Sequence, residues 1–141
     1  MAQLVRVIEA LPDGFAALRA EVEAEGHRHM ARLAQEWADR PGLFHALLAA
    51  FEGGELAGIG AITDEPEAAD EPAWRMRRLY VAKRARRRGV ARTIVNALLQ
   101  EALDNVRLVT VHAGGAEAGR FWEAMDFTPV EGRAWSHEFR V

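Results

Sequence analysis

A strand, a basic loop and an amphipathic helix follow one another between residues 73 and 103, and this succession constrains the fold most. Ala73–Val81 has the length of a strand, and Trp74, Met76 and Tyr80 alternate within it. Val90–Leu103 carries its apolar residues at helical spacing, so it predicts a helix with one buried side. Such a helix must bury its apolar side against another element, and the strand just before it is consistent with a sheet that carries helices.

The other segments complete the order β-α-α-β-β-β-α-β-α-β-β. Glu52–Gly53–Gly54 is a hairpin signal, and the acidic stretch Asp64–Glu71 predicts a loop. The order predicts an α/β fold with one mixed sheet and helices on both faces. The predicted strands are Gln3–Glu9, Leu43–Phe51, Glu55–Thr63, Ala73–Val81, Arg107–His112, Phe127–Val130 and Ala134–Val141, and the predicted helices are Asp13–Ala24, His27–Asp39, Val90–Leu103 and Ala116–Met125.

Length and composition set further bounds. The chain has 141 residues, of which 50% are hydrophobic and 28% are charged, which predicts one globular domain over residues 1–141. It has no cysteine, which excludes disulfides and a cysteine nucleophile. No apolar run reaches the roughly 20 residues of a membrane span, and no charged-then-apolar leader is seen. We therefore expect a cytoplasmic protein with no membrane partner.

The basic residues are concentrated in one stretch. Residues 75–92 hold nine of the 18 lysines and arginines and no acid, although the net charge of the chain is −3. An acidic protein with one basic stretch is expected to bind an anion there. A solvated charged face is the alternative. Nucleic-acid binding is disfavoured, because the acidic remainder would repel a long polyanion and no aromatic residues interleave with the basic loop.

The basic loop leads into the helix at Gly89. A helix N-terminus presents unpaired backbone N–H groups and the positive end of the helix dipole, and glycine lets an anion approach the backbone closely. Arginines around such a site add charge-assisted hydrogen bonds. The segment lacks the residues of a Walker motif or a dinucleotide fingerprint. It therefore predicts a phosphate or pyrophosphate site of another kind.

Two motifs resemble the GNAT N-acetyltransferase superfamily. Arg86-x-x-Gly89-x-Ala91, after a strand that ends in Leu79–Tyr80–Val81, is similar to the family's Arg/Gln-x-x-Gly-x-Gly/Ala motif. The segment from Gly115 to Phe127 resembles its second motif, and the order of elements is the family's order. The resemblance implies a mostly antiparallel sheet that is splayed between the fourth and fifth strands. It also implies acetyl-CoA as cosubstrate, and the cofactor-binding residues would be Leu79, Val81, Arg86, Arg87, Arg88, Gly89, Val90, Ala91, Arg92, Gly115, Ala118 and Trp122.

The chain departs from the family pattern at three positions. Trp122 stands where the family commonly has the tyrosine that protonates the departing thiolate, and an indole cannot act as a general acid at neutral pH. Gly115 replaces an asparagine, and Asp126 replaces a glycine in a position that suits a left-handed residue. One candidate catalytic residue is His112, which could take a proton from an amine directly in place of water, and a structural hydrogen-bonded histidine is the alternative. The other is Tyr80, the only tyrosine, which could protonate the thiolate in place of water, and a residue that packs across the strands is the alternative.

The resemblance implies an acetyl-CoA-dependent N-acetyltransferase in which a primary amine of a small molecule or peptide attacks the thioester directly. The alternative is a GNAT-like module that binds acyl-CoA as a sensor without transfer. We expect a monomer or homodimer. We expect no metal, because His27 and His29 would not share a helix face. We also expect Arg75, Arg77 and Arg78 to pair with the Asp64–Glu71 loop, with Arg78 on the opposite face from the other two. Glu21–Glu25 should be the solvated side of the first helix.

Overall fold

A computed structural model describes residues 2–141, which form one seven-stranded sheet with four α-helices. The spatial order of the strands is β1-β2-β3-β4-β5-β7-β6. Every neighbouring pair is antiparallel except β4 and β5, which are parallel. The strands are β1 Gln3–Arg6, β2 Phe44–Glu52, β3 Glu55–Asp64, β4 Ala73–Val81, β5 Leu108–Val111, β6 Thr128–Pro129 and β7 His137–Arg140, and the helices are α1 Phe15–Ala24, α2 His29–Asp39, α3 Val90–Leu103 and α4 Ala116–Ala124.

The predicted fold class is confirmed, and the predicted order of elements agrees with the structure. The bounds of β4 and α3 agree at both ends, while the last strand is confined to His137–Arg140. Gly53 and Gly54 join β2 to β3, and both have positive φ, as a two-residue hairpin turn of the primed type requires. None of the helices within residues 2–141 has the length and apolarity needed to cross a membrane.

The sheet divides where β4 and β5 run parallel. Only the first three residues of β4, Ala73–Arg75, pair with β5, whose partners are Leu108–Thr110. Among residues 2–141 no strand pairs with the remaining part of β4 on that side, so the sheet splays as the resemblance implied. The C-terminal ends of both strands therefore border one cleft.

The two faces of the sheet carry separate apolar clusters. Helices α1 and α2 cover one face through buried side chains that include Phe15, Val22, Met30 and Leu33. Helix α3 covers the other face, and the end of α4 contributes Trp122 to that second cluster. Helices thus lie on both sides of the sheet.

Two glycines of β3 bring α3 close to the sheet. A Cβ placed on Gly60 would lie 2.7 Å from Cγ2 of Ile94, and one on Gly58 would lie 3.1 Å from Cδ1 of the same side chain. Glycine weakens a strand, but it allows this close approach. The fully buried Ile94 fills the space that the two glycines leave.

The predicted alternation of side chains along β4 is wrong after Met76, because the strand contains a β-bulge at Arg78. Ile59 pairs with Tyr80 and Ala61 pairs with Arg77, so Arg78 and Leu79 together face Gly60, and Arg78 has φ +58°. Before the bulge Met76 belongs to the α3 face, and after it Tyr80 belongs to the α1–α2 face. Trp74, Met76 and Tyr80 therefore do not share a face, because the extra residue shifts the side-chain period by one.

Candidate active site

A cleft of about 1060 Å³ opens where β4 and β5 diverge. Helix α2 and the loop before it border the cleft on one side, and the start of α4 borders it on the other. Nine of the predicted site residues line it: Leu79, Tyr80, Val81, Arg86, Ala91, His112, Gly115, Ala118 and Trp122. The other five, Arg87, Arg88, Gly89, Val90 and Arg92, belong to the adjoining loop and the start of α3.

The backbone of β4 presents unpaired polar groups to this cleft. The Ala82 N–H donates to the Ala57 carbonyl of β3, so the polar groups of Ala82 and Tyr80 point toward β3. Because these groups alternate along a strand, those of Leu79 and Val81 point toward the divergent side. No strand among residues 2–141 pairs with them there. The groups of Leu79 and the N–H of Val81 are available to a ligand that lies along the strand, whereas the Val81 carbonyl accepts from Nε of Arg86.

The loop after β4 places backbone amides and arginines at one end of the cleft. Gly89 precedes the first residue of α3 and has φ +78°, which favours glycine. Arg87 also has positive φ, at +66°. Within residues 2–141, Arg87 and Arg92 form no ion pair, whereas the guanidinium of Arg88 lies 3.5 Å from a carboxylate oxygen of Glu52. Two arginines beside the helix N-terminus are therefore open to an anion.

Arg86 lines the cleft and also stabilises the loop that follows β4. Its Nε donates to the Val81 carbonyl at 3.1 Å, and its guanidinium lies over the Tyr80 ring at 5.3 Å from the centroid. It also lies 3.8 Å from Glu25. These contacts fix the start of the basic loop on β4, so Arg86 holds the backbone amides of the loop in place.

His112 directly follows β5 and is held by a buried carboxylate. Its Nε2 lies 2.5 Å from Oε1 of Glu65, whose side chain is fully buried. The Thr110 hydroxyl donates to the same oxygen at 2.7 Å, and the Glu67 N–H donates to Oε2 at 3.2 Å. Three donors thus surround Glu65, and one of them, His112, lines the cleft.

This arrangement sets the chemistry of His112. Burial raises the pKa of Glu65, but hydrogen bonds from His112 and Thr110 outweigh it, so this pKa lies below its ordinary value. An ionised carboxylate only accepts hydrogen bonds, so the Nε2 of His112 carries the hydrogen between them. The lone pair of a neutral His112 is then on Nδ1. A histidine held in one tautomer at a cleft is suited to accept a proton.

Tyr80 connects β4 to α1 through two carboxylates. Its hydroxyl is hydrogen-bonded to Glu21 and lies 2.8 Å from an oxygen of Glu25. Burial and these carboxylates raise the pKa of Tyr80 far above its ordinary value. The Lys83 N–H also donates to Glu21 at 3.1 Å. The prediction that Glu21–Glu25 is only a solvated face is therefore wrong for these two residues, which hold the basic loop against α1.

The arginines of β4 are paired differently from the prediction. Arg77 and Arg78 both donate to Glu36 of α2, at 3.2 Å and 3.0 Å, and not to the Asp64–Glu71 loop. The bulge turns Arg78 to the same face as Arg77, which the alternation did not predict. Arg75 forms no hydrogen bond or ion pair with residues 2–141, and its Nε is buried without a partner.

The second motif forms the opposite wall of the cleft. Trp122 is buried and packs edge-on against Phe121 and Phe127, with ring centroids 5.1 Å apart in both pairs. Asp126 has φ +69°, the left-handed conformation expected from its place after a helix. Trp122 therefore supplies an apolar surface at the position where the family commonly has a tyrosine.

Sequence reasoning did not find Glu65, Glu36, Glu21 or Glu25. Glu65 belongs to a stretch rich in acids, and only its register beside Thr110 and His112 distinguishes it from its neighbours. The spacing of Glu21 and Glu25 was a usable signal, since residues four apart share one side of a helix.

Comparison with known proteins identifies the family. The profile described as "Acetyltransferase (GNAT) family" matches residues 9–127, and the chain belongs to this family. The resemblance inferred from the two motifs is thereby confirmed. A search of curated protein sequences gives no match.

Solved structures with this fold agree with the assignment. A protein from Exiguobacterium sp. 255-15, provisionally assigned as an acetyltransferase, has a TM-score of 0.86 at 19% identity, over 99% of this chain and 93% of that one. Escherichia coli YhbS, a GNAT N-acetyltransferase in complex with CoA, has a TM-score of 0.73 at 17% identity, over 99% and 81%. A mutant AtaT toxin bound to the C-terminus of its antitoxin AtaR and to acetyl-CoA has a TM-score of 0.78 at 14% identity, over 99% and 92%.

Proposed function

We propose that the protein is an acetyl-CoA-dependent N-acetyltransferase that acts on a primary amine. Acetyl-CoA supplies a thioester whose acetyl group the amine attacks directly while both substrates are bound. The chain has no cysteine to carry an acyl group between two half-reactions. One observation carries the proposal: a histidine on a buried carboxylate and the unpaired amides of a splayed strand border the same cleft.

The described residues fit acetyl-CoA along the cleft. Arg87, Arg92 and the amides at Gly89 would bind the pyrophosphate, because a helix N-terminus and unpaired arginines favour an anion. Leu79 and Val81 would hydrogen-bond the pantetheine arm through the side of β4 that β5 leaves open. Ala118 and Trp122 would provide the apolar wall. One of the free β4 amides can stabilise the negative charge that develops on the acetyl oxygen.

The proposed reaction needs one base and no acid from the protein. His112 accepts a proton from the amine at Nδ1, and Glu65 stabilises the resulting imidazolium. The amine nitrogen forms a bond to the acetyl carbon, the carbon–sulfur bond breaks, and the thiolate leaves with the electron pair. Solvent can supply its proton, because a thiol is a fair leaving group. Tyr80 stays a predicted acid, but its raised pKa and its two carboxylate partners oppose that role.

The test is release of free thiol from acetyl-CoA in the presence of a panel of amines. We expect release by the wild type and a loss of about 100- to 1000-fold in His112→Ala, as for removal of a general base. His45→Ala is the matched control, because His45 also contacts a carboxylate, Asp64 at 2.7 Å, but does not line the cleft. Equal rates in the two variants would contradict the role of His112.

The acyl-CoA sensor remains the rival proposal, and Trp122 in place of the usual tyrosine supports it. The same experiment separates the two functions. Tight binding of acetyl-CoA without thiol release across the whole panel would favour the sensor.

A further inference from the structure

The cleft has a second basic region, well separated from the anion-binding loop. Arg75 lies six residues before Val81, which is about 20 Å along an extended strand. Arg32 and His29 of α2 border the same part of the cleft. If the phosphates of acetyl-CoA lie at Gly89, Arg75, Arg32 and His29 are too far away to bind them. These basic groups are then available to the second substrate.

Few carboxylates are free to neutralise the positive charge of this second region. Glu36 is shared by Arg77 and Arg78, and its side chain is only 15% exposed. Glu65 is taken up by His112, Thr110 and the Glu67 amide. The Nε atoms of Arg75 and Arg77 are buried and have no hydrogen-bond partner within residues 2–141. A buried polar atom without a partner is costly. No carboxylate of residues 2–141 hydrogen-bonds Arg75, although Glu65 and Glu36 act on it through their charge. An anionic ligand would therefore be the first direct partner of this guanidinium.

The register places Arg75 beside the proposed base. Arg75 pairs with Thr110 across the parallel β4–β5 ladder, and His112 lies two residues further along. Val109 and Val111 point to the α3 face, so Thr110 and His112 share the α1–α2 face with Arg75. Two residues span about 7 Å along a strand. A group bound to Arg75 and an amine at His112 would therefore be close together in one small molecule.

We propose that the acceptor is a compact amine that also carries a carboxylate, as an amino acid does. Arg75 binds the carboxylate, and His112 takes the proton from the amine. A carboxylate fits because it matches the planar fork of a guanidinium. This inference rests on the proposed function, since it names the substrate class of the same site.

The experiment compares amino acids with their C-terminal carboxamides in the thiol-release assay. In the wild type we expect kcat/KM to be at least about tenfold higher for the preferred free acid than for its carboxamide, as for loss of one charge-assisted contact. Arg75→Gln should abolish this ratio, and Arg75→Lys should restore part of it. Arg19→Gln, which removes an exposed arginine of α1 outside the cleft, should keep the full ratio. A panel of aminoalkylphosphonates tests whether the site takes a different anion.

Equal rates for acids and carboxamides, an unchanged ratio in Arg75→Gln, or a preference for phosphonates would overturn the inference. Failure of the proposed function is a different result: no amine of any panel releases thiol. The anion site is then tested by calorimetric titration of N-acetylated amino acids and their carboxamides into the protein saturated with CoA. Tighter binding of the acids by the wild type than by Arg75→Gln supports the site, and equal affinities overturn it.

Discussion

The two faces of the sheet differ in what holds their helices in place. On the α3 face the buried contacts are apolar, and Ile94 and Leu98 lie against the glycines of β3. The ion pair that joins α3 to β1, between Glu101 and Arg6, is partly exposed. On the α1–α2 face the apolar cluster is accompanied by polar contacts that join Tyr80 to α1, Arg77 and Arg78 to α2, and His112 to the loop after β3. The first face provides stability, and the second provides the chemical groups that border the cleft.

The buried polar groups cluster on the side of the sheet where substrates are expected. Buried ion pairs add little to stability when compared with apolar packing of the same volume. Their concentration on one face is better explained by the need to hold charged groups in position. Substitutions on the two faces should therefore separate stability from binding.

The largest effect on stability is expected from Ile94→Ala. The fully buried side chain fills the space over Gly58 and Gly60, so its loss leaves a cavity and should lower the free energy of unfolding by about 2–5 kcal/mol. Urea unfolding measures this change. Gln100→Ala, on the exposed side of the same helix, should stay within about 0.5 kcal/mol of the wild type. A loss below about 1 kcal/mol in Ile94→Ala would contradict the account of this face.

A smaller effect is expected from Glu36→Gln on the opposite face. The substitution leaves Arg77 and Arg78 without their shared carboxylate, and these side chains are only 19% and 14% exposed. We expect a loss of about 2 kcal/mol, below the ~3–5 kcal/mol for a fully buried pair. Glu23→Gln removes the exposed partner of Arg19 and should change stability by less than about 1 kcal/mol. Equal losses in the two variants would show that the Glu36 contacts contribute no more than a surface pair.

The pH dependence of stability gives the smallest effect. The lowered pKa of Glu65 means that the folded protein favours its ionised form, so this contribution is present above the ordinary pKa of 4.5 and is lost as the pH falls through the lower, folded-state pKa. Wild type should exceed Glu65→Gln by about 1.5 kcal/mol at neutral pH, the lower end of the range for hydrogen bonds to a charged group. Unfolding measured from pH 7 downward should show the difference shrinking below pH 4.5. A constant difference would contradict an ionised Glu65.

The sequence predicts the elements whose signals are local. Gly53–Gly54 marks the hairpin, the apolar spacing of Val90–Leu103 gives both ends of α3, and the place of Asp126 after a helix predicts its left-handed conformation. The Gly89 motif predicts the family, because strand, glycine and helix follow one another within a few residues. These signals need no knowledge of distant partners.

The remaining features depend on contacts between distant segments. The bulge at Arg78 has no glycine to indicate it, and it follows from the pairing of β3 with β4. The side-chain partners of Glu65 and Glu36 lie 41 to 47 positions away in the sequence, and Glu21 lies 59 positions from Tyr80. An acid on a helix or in a loop has the same local pattern whether it is solvated or paired.

We infer that acetyl-CoA binds along the divergent side of β4 with its pyrophosphate at Gly89. Gly89→Ala tests this inference, with Gly132→Ala as the matched control. Both glycines have left-handed φ, +78° and +74°, and no heavy atom would lie within 4 Å of a Cβ at either position. The two substitutions should therefore carry the same backbone strain, about 1–2 kcal/mol.

Isothermal titration calorimetry with acetyl-CoA is the decisive measurement, with unliganded melting temperatures recorded for both variants. We expect the two variants to melt within a few degrees of each other and Gly132→Ala to keep wild-type affinity. Gly89→Ala should bind acetyl-CoA at least about tenfold more weakly, because its Cβ would occupy the space through which the phosphate approaches the amides. Wild-type affinity in Gly89→Ala would contradict the claim and place the cofactor elsewhere.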